Sequence, residues 1–161
     1  MWAAVREKPS RRCVRATSPT ASTSKPTPRR PRTNKLFEPR GGPVVNADGV
    51  SGIAEWPEGF FIGVSLWSYL EHEARPKEAL AATRRVVRKD GIVLVKVPNF
   101  ACWNRALLGS KWSGFRNPDH VQYFTPATLG RLARDCGFAV KFRLYGRIPL
   151  NDNMYAILRP V

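Results

Sequence analysis

Acidic side chains are scarce in this chain. Asp and Glu number 12 against 27 Lys and Arg, a formal net charge of +15 over 161 residues. The shortage is uneven: residues 1–40 hold 11 basic and 2 acidic side chains, and residues 41–161 hold 16 and 10. A field of that sign attracts phosphates and anionic surfaces. Attraction alone is not a binding site, and no nucleic-acid reading module accompanies Arg29, Arg30 and Arg32, so nucleic acid is not expected as a partner. Cysteine is sparse too. Cys13, Cys102 and Cys136 show neither paired nor ligand-like spacing, which argues against a disulfide framework and fits a reducing, cytoplasmic setting. The 2 histidines, His72 and His120, lie far from any Cys-x-x-Cys, so spacing offers no metal site. No apolar run approaches the roughly 18 residues of a membrane span, and a membrane is not expected as a partner. The N-terminus lacks the apolar core of a secretory signal. Its Arg, Ser and Thr fit an organelle-targeting segment or, as expected here, a disordered extension.

What is present divides the chain in three. Residues 1–35 read as a disordered basic tail, because SPTASTSKPTPRRPR has little to bury and its prolines block helix and sheet. Residues 36–59 read as transitional, with turns at Gly41–Pro43 and Ala47–Gly49 and a short strand at Val44–Val45. Residues 60–161 read as the domain. Phe61 to Trp67 is apolar on both faces, the pattern of a parallel strand covered by helices. Pro76 opens a helix that Asp90–Gly91 should end, the glycine in a left-handed conformation. Arg84, Arg85, Arg88 and Lys89 form its solvated face. Ile92 to Val97 is a second strand stopped by Pro98, so the spacing is βαβ. Phe100 to Leu108 reads as a short helix, and Ser110 to Gln122 as a polar loop studded with aromatics. Thr125–Pro126 starts a helix with a hydroxyl cap and a proline, and Gly137 stops it. Val140–Tyr145 and Met154–Leu158 are expected as an antiparallel pair at a sheet edge.

Three of these segments, VSLWSYLEH, IVLVKVPN and HVQYFTPATLGRLARDCGF, together resemble class I S-adenosylmethionine-dependent methyltransferases, in the subgroup with Leu-Glu-His and His-x-x-x-Phe-Thr-Pro motifs. The resemblance covers roughly residues 55–159, the C-terminal half of such a domain. It implies an α/β fold: a partial Rossmann-like sheet holding the last four strands, in the order 4-5-7-6, with flanking helices. Two of the family's features have no match. There is no Glu/Asp-x-Gly-x-Gly turn, whose glycines let the backbone approach the cofactor, and no acidic residue on a second strand to accept the ribose hydroxyls. Ile62 also stands where the family commonly has Asp.

The resemblance implies S-adenosyl-L-methionine as cofactor and a pocket at the carboxyl ends of the strands, at Trp67–His72 and Pro98–Phe100. Trp67 and Glu71 are the cofactor-binding candidates; Glu71 reads equally well as a helix-start carboxylate. His72 and His120 are the catalytic candidates, as general bases near neutral pH or as hydrogen-bonded structural imidazoles. Asn99, Trp112 and Tyr123 are the substrate-binding candidates, or ties that hold the loop. Trp103 stands with Trp112 as a pocket wall or as loop packing.

The function expected is methyl transfer to an oxygen or nitrogen of a small metabolite or sugar, by a truncated and inactive-prone member of the family. The alternative is a noncatalytic interaction protein. With the first half of the sheet missing, strand Phe61–Trp67 would become an apolar edge open to self-association or to a protein partner.

Overall fold

The computed structural model describes residues 3–6, 11–14, 47–143 and 151–161. In chain order the elements are β1 (Ala3–Arg6), β2 (Arg11–Val14), α1 (Gly49–Ala54), β3 (Phe61–Trp67), α2 (Pro76–Val86), β4 (Val87–Pro98), α3 (Trp103–Leu108), α4 (Pro126–Asp135), β5 (Phe138–Phe142) and β6 (Asn153–Pro160). Single 3-10 turns stand at Leu70–His72 and Gly109–Lys111.

Four strands form a mixed sheet in the order β3-β4-β6-β5. β3 runs parallel to β4, with Val64 opposite Val93 and Leu66 opposite Val95. β6 is antiparallel both to β4 and to β5. With helices flanking it, the sheet is typical of a Rossmann-like domain. The expected antiparallel pair is present at one end of the sheet, with β6 beside β4 and β5 outermost.

The core lies on one face. Along β4, Val93, Val95 and Val97 are buried while Leu94 and Lys96 are not, the period of two that a half-covered strand requires. These valines pack with Val64 and Leu66 of β3, Met154, Ala156 and Leu158 of β6, Ala79, Leu80 and Val86 of α2, and Leu129 and Ala133 of α4. Each fully buried Val or Leu here contributes about 1.5–3 kcal/mol. The opposite face is more open. There Trp67, Leu94, Tyr155 and Ile157 line a groove of about 520 Å³. Trp67 is 48% exposed, so β3 is not covered on both faces as its composition suggests: the described helices pack against the side of Val64 and Leu66.

The helix caps follow local chemistry. Thr125 accepts from the Thr128 N–H at 3.2 Å, and Thr128 reciprocates to the Thr125 N–H at 2.9 Å, a capping box with proline following at the first position. Gly137 ends α4 at φ +77°. The expected end of α2 is displaced. The helix stops at Val86, and Val87 is already extended and opposite Phe61, because two β-branched residues there gain more from sheet pairing and burial than from another turn. Gly91 is not left-handed. A side chain there would come within 2.9 Å of the Ile62 carbonyl oxygen, so close approach to β3 requires the glycine. Nor are all the α2 arginines a free solvated face. Arg84 donates to the Gly137 carbonyl at 3.1 Å and the Val161 carbonyl at 2.9 Å, and Arg85 to the Ala54 carbonyl at 2.6 Å. Arg88 pairs with Asp90 at 2.8 Å.

The segment read as transitional carries α1. Asp48 caps it, accepting from the Val50 and Ser51 N–H groups at 3.1 and 3.0 Å, and Val50 and Ile53 pack on the core. Of residues 1–35 only 3–6 and 11–14 are described; there β1 and β2 form a two-stranded antiparallel ladder, Ala3 opposite Val14, and β1 runs alongside β3. The expected turn at Gly41–Pro43, the strand at Val44–Val45, the tail arginines Arg29, Arg30 and Arg32, and Tyr145 lie outside the described residues.

Candidate functional site

The carboxyl ends of β3 and β4 meet a long loop that returns from α3 to α4. Ser68 makes the turn out of β3 in the left-handed region, at φ +49°. Its hydroxyl accepts from Lys96 Nζ at 2.9 Å, which ties the turn to β4. Tyr69 and Leu70 are buried at 1% and 0% exposure and anchor the 3-10 turn that follows. Glu71 is thereby drawn inside, at 1% exposure, and its Oε2 has no hydrogen-bond partner. Burial pushes the Glu71 carboxyl above its ordinary range, a shift only partly opposed by its own backbone N–H and the charges of His72 and Lys96.

The loop is clamped onto this turn by main-chain bonds. The Glu71 carbonyl accepts from the Val121 and Gln122 N–H groups at 2.8 and 3.1 Å. His72 Nδ1 donates to the Asp119 carbonyl at 2.7 Å, and His120 Nδ1 donates to the Gly114 carbonyl at 2.8 Å. A carbonyl oxygen only accepts, so each Nδ1 carries a proton, and in a neutral ring the lone pair then lies on Nε2. The two imidazoles meet edge to face, with centroids 4.7 Å apart. Desolvation lowers the His120 pKa, helped by the charges of His72 and Arg116 and opposed by the Gly114 bond and Asp119. A polar cavity of about 280 Å³ opens here, lined among others by Ser68, Glu71, His72, Lys96, Arg116 and His120.

Of the residues singled out from the sequence, Glu71, His72 and His120 come together in this cavity. The others do not line it. Asn99 is 1% exposed and its amide serves the backbone, accepting from the Ala101 N–H at 3.1 Å and donating to the Asn151 carbonyl at 3.5 Å. Trp112, also 1% exposed, donates from Nε1 to Asp152 Oδ1 at 3.0 Å. Tyr123 stacks with Phe100 and Phe115, both at 5.4 Å. Trp67 lines the groove on the open face of the sheet, and Trp103 is 57% exposed. Asp152, which no motif points to, also accepts from Asn104 Nδ2 at 3.1 Å and Cys102 Sγ at 3.4 Å. It lies between the two edge strands of the sequence pattern and is recognisable only once the loop folds over it.

Residues 9–141 match the model of a methyltransferase domain, most of the chain's length. The chain belongs to this methyltransferase family. Solved structures agree on the fold. An S-adenosylmethionine-dependent methyltransferase of Archaeoglobus fulgidus is 16% identical, with a TM-score of 0.58, over 71% of this chain and 66% of that one. Another, from Thermotoga maritima, is 14% identical, with a TM-score of 0.60, over 80% of this chain and 69% of that one. The cyclase SpnF is 18% identical, with a TM-score of 0.51, over 78% of this chain and 60% of that one. This methyltransferase domain thus spans about two thirds of these proteins' lengths. Because one of them is a cyclase, likeness of fold does not by itself name the reaction. No curated protein matches the sequence.

The family is associated with S-adenosylmethionine, so the residues can be asked whether they suit it. They suit only part of it. The cavity, at about 280 Å³, is at the small end of the range of about 300–1,000 Å³ for sites that enclose a drug-sized ligand. Its lining is mostly polar, and the apolar groove at Trp67 is a separate one on the open face of the sheet. Glu71, the one buried carboxylate among the described residues, is enclosed with the histidines. The described residues therefore fit a small polar acceptor better than a whole adenosyl group.

Proposed function

We propose that this methyltransferase domain forms the acceptor side of a site for methyl transfer to an oxygen or nitrogen of a small polar molecule. Family membership supports the reaction class. The single observation that carries the location is the polar cavity at the carboxyl ends of parallel β3 and β4, where α/β domains place their ligands. In this reading Lys96, Arg116 and Ser68 fix the acceptor by hydrogen bonds. His120, kept neutral by desolvation and held by Gly114, presents Nε2 as the base that takes the acceptor's proton. The resembled strand numbering assigns β3, β4, β6 and β5 to strands 4, 5, 7 and 6. The glycine turn and ribose-binding acid belong to strands before these, and no residues in this sequence match them. Tight cofactor binding by these residues alone is therefore not expected. Titration of the chain with S-adenosylmethionine, followed by calorimetry, tests this: no saturation is expected at micromolar concentrations. Saturable micromolar binding would show that the chain builds its own cofactor site and would overturn the division proposed here.

A second reading rests on the sheet order. β3 ends the hydrogen-bonded set, and an end strand can pair with another chain. This reading makes the protein a docking module, with strand 61–67 as its contact. It competes with β1, which lies alongside the same strand.

A further inference from the structure

We propose that Glu71, His72 and His120 form a divalent-cation site of the two-histidine, one-carboxylate kind. One ligand atom from each residue lies within 4.8 Å of the others. A cation held at about 2.1 Å by each would bring them roughly 3–3.5 Å apart, a closure that side-chain rotation supplies. Three independent features support the assignment. Glu71 Oε2 is buried without a hydrogen-bond partner, and a buried carboxylate oxygen in that state is destabilised unless a cation or donor meets it. Both histidines donate Nδ1–H to backbone carbonyls, from His72 to Asp119 and from His120 to Gly114, the outer-shell arrangement that orients Nε2 toward a metal. The bonds from Val121 and Gln122 to the Glu71 carbonyl hold the loop and the 3-10 turn in register, so the set is organised before any ion arrives.

The nearby cations do not fill the position. Lys96 Nζ is engaged by the Ser68 hydroxyl at 2.9 Å, and Arg116 is an exposed residue on the cavity lining. Two imidazoles and one carboxylate select a borderline cation such as Zn²⁺ or Co²⁺ over Mg²⁺, which favours oxygen ligands and retained water. Three protein ligands leave a coordination position open toward the cavity, where a water or an acceptor oxygen would sit. That last role rests on the methyl-transfer reading, in which a bound cation would occupy the His120 Nε2 lone pair and would lower the pKa of the acceptor's proton in place of His120 acting as base; the cation site itself does not.

The test uses the full chain, freed of metal and titrated with Co²⁺. One equivalent is expected to bind with a visible d–d band and without the near-ultraviolet thiolate band that cysteine ligation would give. His72 and His120 are the 2 histidines of the whole sequence, so their ring-proton NMR signals report on this site alone, and both should broaden or shift. Zn²⁺ should displace Co²⁺, and millimolar Mg²⁺ should not. Glu71→Gln and His120→Asn should each weaken Co²⁺ binding by about 100-fold or more. Absence of the band, a thiolate band with unperturbed histidine signals, or undiminished binding by folded Glu71→Gln and His120→Asn variants would each overturn the proposal. Should a variant fail to fold, the NMR arm on the wild-type chain still decides. Saturable micromolar binding of S-adenosylmethionine would overturn the division of the site proposed above and leave the cation site standing.

Discussion

The indole N–H of Trp112 donates to Asp152 across 40 residues of chain, at 3.0 Å. Asp152 gathers Trp112, Asn104 and Cys102 onto one carboxylate oxygen. It thereby joins the start of α3 and the start of the long loop to the approach of β6. This carboxylate holds the cavity's outer wall in place although no catalytic motif contains it. Replacing it with alanine would leave the buried Trp112 donor unpaired, which costs about 1–3 kcal/mol. Urea unfolding of Asp152→Ala should show a loss of that size.

The same group gives a pH dependence of defined sign. Burial alone would raise the Asp152 pKa, but the bonds from Trp112, Asn104 and Cys102 more than offset it and hold the carboxyl below its ordinary range. A folded-state pKa lower than the unfolded value means that the added stability is present in full above the unfolded pKa, about 3.9, and is lost as pH falls through the folded value. The stability difference between the wild type and Asp152→Asn should therefore be constant near neutrality and shrink below about pH 4. A difference that grows on acidification would contradict it.

Gly114 is under the Trp112 indole, where a Cβ would overlap the ring. Its carbonyl also receives the His120 Nδ1 proton at 2.8 Å. Gly114→Ala should displace the indole and cost about 1–3 kcal/mol. It should also shift the His120 ring-proton resonances, a readout that a purely remote loss of stability would leave unchanged.

The capping box of α4 offers a local test. Thr125→Ala removes the acceptor of the Thr128 N–H and is expected to cost about 1 kcal/mol. Thr125→Ser, which keeps the oxygen, should recover most of it. Equal losses in both variants, measured by thermal unfolding, would place the role of Thr125 in its methyl group instead.

β1 lies alongside β3, the end strand of the hydrogen-bonded sheet. Removing residues 1–14 should uncover that strand and promote edge pairing. Sedimentation of the shortened chain is expected to become concentration-dependent relative to the full chain. Identical sedimentation would show that β1 does not protect the edge.

Much of the fold was legible because it depends on neighbours in sequence. The alternating and continuous apolar runs of β3 and β4, the Thr125–Pro126 start and the Gly137 stop of α4, and the family motifs at Leu70–His72 and His120–Pro126 are all local patterns. Their physical causes, side-chain periodicity and the unsatisfied donors of a helix start, act within a few residues. The end of α2 was not legible, because Val87 leaves the helix for a partner, Phe61, that lies far back in the chain. Helix α1 was missed because an Asp cap and six residues look like a turn until Val50 and Ile53 find the core.

The candidate site divides along the same line. Composition and motif alone singled out Glu71, His72 and His120 as chemical groups. Only the tertiary structure brought the two imidazoles to 4.7 Å, left one Glu71 oxygen buried without a partner, and assigned Trp112 and Asn99 to loop support. Sequence carries the identity of a group and its local backbone preference. Its burial, its hydrogen-bond partner and the lone pair it has left to offer depend on which distant segments fold against it.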